Sequence, residues 1–180
     1  MSKQVAFLRA INVGGHVVKM DQLRRLFEGL GFKNVETFIA SGNVIFDAPA
    51  ARPKSLERKI EVCLREALGY EVATFLRTAS ALARIAKQKP FGDEDLSDPG
   101  HTLYIGFLAD PPSAEARRKL LALNSARNAF EISDSEVYWL CRTRFSDSDF
   151  SGATLEKTLG MQTTLRNANT VQRLVAKYPT

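Results

Sequence analysis

The residues of this 180-residue chain best suited to chemistry crowd into one short segment: Arg9, Asn12, Gly14, Gly15 and His16. Arg9 brings a permanent positive charge and a two-pronged donor. Asn12 brings an amide. Gly14 and Gly15 let backbone approach a ligand closely, or turn with positive φ. An apolar run, Val5 to Leu8, precedes them, and an amphipathic segment follows. A helix start leaves N–H groups without intrahelical partners, and its dipole favours negative charge. The chemistry implied is capture of a phosphate or carboxylate. The same residues equally suit an ordinary turn, with Asn12 bonding its own backbone. Neither a Gly-Lys-Ser/Thr loop nor GxGxxG is present, so the segment is not a standard nucleotide motif. His16 is by residue type a candidate acid or base, but sequence places no carboxylate beside it.

A second set lies in Thr164 to Thr170. Asn167 or Asn169 is a good helix N-cap. Arg166 fits less easily, because a cation opposes the dipole at a helix start. It faces a bound anion, an internal partner or solvent. Arg166 and Asn167 are therefore joined to Arg9, Asn12, Gly14 and Gly15 as candidate ligand-binding residues. Ser41-Gly42-Asn43 reads as a tight hairpin turn with Gly-Asn at its centre. In a simple plait that turn is expected at the sheet end opposite Gly14-Gly15, so the two should not share a site. No base accompanies Ser41 as a nucleophile. No catalytic residue, metal site or cofactor is assigned: HExxH and CxxC are absent, and His16 and His101 are far apart in sequence. The acids of 93–98 lack calcium-loop spacing.

These residues need elements to hold them. Gln4 to Arg9 reads as a strand. Met20, Leu23, Leu26, Phe27 and Leu30 recur at helical spacing, with Asp21 a candidate cap and Gly31 closing the helix. Val35 to Ala40 and Val44 to Asp47 read as strands. Leu56, Ile60, Cys63, Leu64 and Leu68 form a second amphipathic helix, and Glu71 to Leu76 another strand. Strand, helix, strand, strand, helix, strand is the ferredoxin-like order. A third helix opens near Thr78 or Ser80 and stops before Pro90. Phe91 to Gly100 is acidic and reads as linker. The order then repeats: a strand at 102–109, a helix at 113–124, strands at 130–132 and 137–142, a helix at 153–159, a short strand at 161–164 and a final helix. The expected fold is α+β, two ferredoxin-like α/β plaits at 1–77 and 101–180 joined by a helical linker at 78–100. The first and fifth strands are apolar on both faces, so both sheet faces should be covered.

Composition fits a globular domain, with 44% hydrophobic and 25% charged residues. No apolar run is long enough to span a bilayer, and the start reads as a strand, not a leader, so a cytoplasmic location and no membrane partner are expected. Cys63 and Cys141 are expected to be reduced and structural. The net charge of +5 is a weak argument for nucleic-acid binding.

Leu8 to Gly15, Phe38 to Phe46, Lys89-Pro90-Phe91 and Thr164 to Val171 together resemble the bacterial family 1697 of domains of unknown function. The resemblance spans the chain in order and implies a two-part α/β-plait fold. It brings no activity, substrate or cofactor. Ala10 stands where such proteins usually carry glycine, which suggests that no positive φ is needed there. Leu165 and Ala168 replace an expected threonine and tryptophan. Phe150 to Ala153 takes the place of a Ser-Lys-Leu stretch.

The favoured function is a binding module for a small anionic or nucleotide-like ligand at Gly14-Gly15. Single-stranded nucleic-acid binding through Phe7, Phe46, Tyr104 and Trp139 is an alternative. An enzyme acting on a phosphorylated substrate and a ligand-free homodimer are others.

Overall fold

The computed structural model describes residues 1–12, 15–39 and 42–180. Val13, Gly14, Ala40 and Ser41 lie outside the described residues, and with them the expectations placed on Gly14 and Ser41. The chain divides into two units, Met1–Ala83 with Tyr178–Thr180, and Arg84–Lys177.

The first unit runs β1 (Ser2–Leu8), α1 (Met20–Gly29), β2 (Lys33–Thr37), β3 (Asn43–Ala48), α2 (Pro53–Leu68) and β4 (Thr74–Thr78). Its sheet is antiparallel in the order β2-β3-β1-β4. One face of β1, Ala6 and Leu8, packs under Leu23 and Phe27 of α1 and Leu56, Ile60 and Leu64 of α2. Each helix lays its apolar stripe on that face, as the 3.6-residue spacing requires. Phe27, Phe32 and Phe46 form an aromatic nucleus, with ring centroids 4.5–6.2 Å apart. Val5, Phe7 and Ile45 point to the opposite face and are equally buried, as the doubly apolar pattern foretold.

The second unit opens in α3 (Ala79–Lys87) and passes through a short helix, α4 (Asp93–Ser97). It continues with β5 (Thr102–Phe107), α5 (Ala114–Leu121), β6 (Asn128–Ser133), β7 (Glu136–Cys141), α6 (Gly152–Leu159), β8 (Thr164–Asn167) and α7 (Ala168–Lys177). The order is β6-β7-β5-β8, again antiparallel. Trp139 is fully buried at its centre, beside Phe130, Phe150 and Leu155. The Trp139 indole N–H donates to Asn128 Oδ1 at 2.9 Å, so its one polar atom is satisfied.

Several sequence expectations are corrected. Asp21 does not cap α1: Lys19 holds the N-cap position, and Asp21 sits in the first turn, 3.4 Å from Arg24. The acidic stretch is not featureless linker, because α4 forms there and Asp95 makes a two-pronged pair with Arg142 at 3.1 and 3.2 Å. The strand expected at 161–164 begins only at Thr164, since the helix end at Gly160 (φ +68) carries on through the Met161 N–H to the Glu156 carbonyl. Arg166 is therefore a strand residue, not part of a helix start. Gly42-Asn43 is not the centre of a two-residue turn either. Thr37 pairs with Val44, and Asn43 is buried inside β3.

Candidate functional site

β1 delivers its last residues to a place where three connections meet. The Leu8 N–H donates to the Gly42 carbonyl at 2.9 Å, and the Arg9 N–H to the Ala73 carbonyl at 2.9 Å. Because β1 and β3 run antiparallel, the end of one neighbours the start of the other, with Phe7 opposite Asn43. The expectation that the two motif segments lie at opposite sheet ends is thus overturned. They close on the same end.

Gly42 makes that closure tight. It is buried with φ +84, and a Cβ there would stand 2.8 Å from Ile11 Cγ2 and 3.1 Å from Leu8 Cβ. Only glycine fits. Asn43 braces the same segment, donating from Nδ2 to the Phe38 carbonyl at 2.8 Å while the Phe38 N–H returns to the Asn43 carbonyl.

The backbone beside it is strained. Ala10 has φ +56 and Ile39 φ +60. The left-handed region costs an L-residue about 1–2 kcal/mol, and a β-branched residue such as Ile39 is a genuine outlier. The inference from the missing glycine at position 10 is therefore wrong: the positive φ is kept and alanine bears it.

Arg9 is half-buried at the end of β1, while Asn12, Gly15 and His16 are exposed. Asn12 Oδ1 accepts the Val18 N–H at 2.8 Å, which anchors the segment two residues before α1. The bond reaches six residues along the chain, not to Asn12's own backbone. Gly15 has φ +86 with open space around it. Sequence reasoning overlooked Tyr70. Its hydroxyl donates to the Ile11 carbonyl at 3.0 Å, and its ring stacks on His16 with centroids 3.8 Å apart. Burial pushes the Tyr70 hydroxyl pKa up, so it stays a donor at neutral pH. Its position just past the α2 cap Gly69 carries no sequence hint of Ile11, 59 residues away. Nearby, Glu61 accepts the Thr74 N–H at 3.4 Å, and burial raises its pKa. A carboxyl on this edge thus resists ionisation more than an exposed one would.

Arg166 and Asn167 lie in the second unit. Arg166 is buried, its Nη1 donating to Thr164 Oγ1 at 2.6 Å and to the Leu165 carbonyl at 2.9 Å. Burial lowers its pKa to about 10, still leaving it charged. Asn167 Oδ1 accepts the Asn169 N–H at 2.9 Å and so caps α7. Phe7, Phe46 and Trp139 are fully buried, and Tyr104 stacks on Trp139. The three buried rings offer no face to stacking bases, while Tyr104 is half-buried. Cys63 and Cys141 are both free thiols, the first half-buried and the second buried. Among the described residues no His, Cys, Asp or Glu group could hold a metal ion, and no helix is long and apolar enough to cross a membrane.

Two four-stranded antiparallel sheets with seven helices among the described residues define a mixed α+β protein. The chain belongs to the family described as protein of unknown function, DUF1697, whose model matches residues 1–138. Among solved structures it is similar to the conserved bacterial protein SP0830 from Streptococcus pneumoniae, at 19% identity and a TM-score of 0.75, the match covering 98% of each chain. At that identity the likeness establishes the fold. No curated protein matches.

Proposed function

We propose that the chain is a binding protein for a small anionic ligand, held at the end of the first sheet by Arg9, Asn12 and Gly15. One observation carries the reading. Two non-glycine residues, Ala10 and Ile39, hold left-handed backbone on two segments that meet at one sheet end. Such strain costs free energy and concentrates where a ligand is gripped. Arg9 adds the charge beside it. Each unit is read as a ferredoxin-like α/β plait, a reading supported by the strand order they share.

Calorimetric titration of the full chain with inorganic phosphate, pyrophosphate and citrate tests the site. At least one anion is expected to bind, and Arg9→Ala to weaken it at least tenfold, since a hydrogen bond to a charged group is worth about 1.5–3 kcal/mol. Equal affinity in Arg9→Ala would overturn the assignment, as would no binding by any of the three.

A further inference from the structure

The second unit holds a cavity that the reading above leaves unused. It measures about 570 Å³ and lies where the end of α3, the region of α4, the start of β5 and the first turn of α7 come together. Its polar lining is Lys87, Gln88, Lys89, His101, Thr102, Asn167, Asn169 and Gln172, with no Asp or Glu. That is notable beside an acidic stretch. Asp95 is turned to Arg142, its carboxyl held below the usual range by that guanidinium. Asp95 and Asp98 also flank the His101 ring, at 3.6 and 3.5 Å. Asp93 reaches Lys89 at 3.7 Å, but both side chains are exposed and such a pair is weak. Lys89 of the Lys89-Pro90-Phe91 segment and Asn167 to Asn169 of the Thr164 to Val171 segment thus line one cavity.

We infer that this cavity is a second binding site, for a small phosphate monoester. Lys87 and Lys89 supply positive charge to the phosphate. The first turn of α7 adds the positive end of its dipole. Asn167 is already committed to the Asn169 N–H, so it shapes the turn while the lysines carry the charge. Asn169 and Gln172, one turn apart on α7, offer side-chain amides to the ester's hydroxyls. The volume lies within the roughly 300–1,000 Å³ of ordinary small-molecule pockets and exceeds what a bare phosphate needs. This site is separate from the one at Arg9, and either proposal can fail alone.

Amide chemical shifts of the full chain, followed as ribose 5-phosphate is added to about 10 mM, an excess over even a millimolar Kd, test the assignment. The Asn167, Asn169 and Gln172 signals are expected to move. Lys87→Glu/Lys89→Glu should weaken the effect tenfold or more. Arg9→Ala should leave it unchanged, and unmodified ribose should produce none. Both lysines are exposed, and the remaining signals of the variant's spectrum report whether it is folded. Asn169→Ala, also exposed, gives a second variant with weakened binding. The proposal is overturned if those signals stay still, if ribose moves them as far, or if the folded double-lysine variant binds equally well.

Discussion

β1 and β5 occupy the same place in their sheets, yet their ends are handled differently. At β5 the Leu108 N–H donates to the Ser135 carbonyl at 2.8 Å, matching the Leu8 N–H to Gly42 bond of 2.9 Å. Ser133 pairs with Glu136, so Asp134 and Ser135 make a two-residue turn. The chain leaves β5 through Ala109, Asp110, Pro111 and Pro112, and Ser113 Oγ then caps α5 from the Ala116 N–H at 3.1 Å. Proline fixes φ and removes a donor. None of the residues 109–112 has a positive φ. The first unit reaches α1 through Ala10 at φ +56, and α1 has no side-chain cap. One topology therefore leaves its first strand with a positive φ in one unit and without one in the other, while the connection between the neighbouring strands carries one in both, at Ile39 and at Asp134. The strain at Ala10 is not a demand of the fold, and that makes it informative about the site.

Gly42→Ala would break this comparison most sharply. The added methyl meets Ile11 and Leu8 at a positive φ, so a loss of about 3 kcal/mol is expected in chemical denaturation, overpacking and strain combined. Ser135→Ala, at the matching bond, should cost under about 1 kcal/mol. Gly69→Ala separates the two causes: φ is again +84 but the space is open, so only about 1 kcal/mol should be lost. Tyr70→Phe removes the bond to the Ile11 carbonyl and should cost about 0.5–1.5 kcal/mol. Ala10→Gly should raise stability by about 0.5–1 kcal/mol by relieving the backbone. Asp134→Gly should gain less, because Asp accepts φ +53 more readily than Ala accepts φ +56. The smallest effect is electrostatic. Arg142 lowers the Asp95 pKa from its ordinary 3.8, so the pair stabilises the fold above that pH and the contribution is lost as pH falls through the folded value. Asp95→Asn should melt slightly earlier than the parent at pH 7 and together with it at pH 2.

The sequence reveals the scaffold better than it reveals the site. The helical spacing of Leu23, Phe27, Leu56, Ile60 and Leu64 and the doubly apolar strands give the element order, because burial writes its period into residue type. Family membership was legible too, in the segments around Arg9 and Ser41-Gly42-Asn43. The convergence of those segments was not. It depends on β1 and β3 being antiparallel neighbours, a long-range fact that no local pattern encodes. Nor did anything about Ala10 announce a left-handed φ, since alanine is imposed on that conformation by its surroundings. Tyr70 was invisible for the same reason: its partner is fixed by tertiary placement. Arg166 shows the same. Its type left a ligand, an internal partner or solvent open, and its bonds to Thr164 Oγ1 and the Leu165 carbonyl come from a strand placement that no local pattern announced.

The account stands or falls on whether the end of the first sheet holds an anion. The direct measurement is the amide spectrum of the full chain during titration with inorganic phosphate, pyrophosphate and citrate. With at least one of them, the Arg9, Gly15 and Gly42 signals should move together on one binding curve, and Arg9→Ala should abolish that movement. Those signals staying fixed with all three anions, or moving just as far in Arg9→Ala, would contradict it.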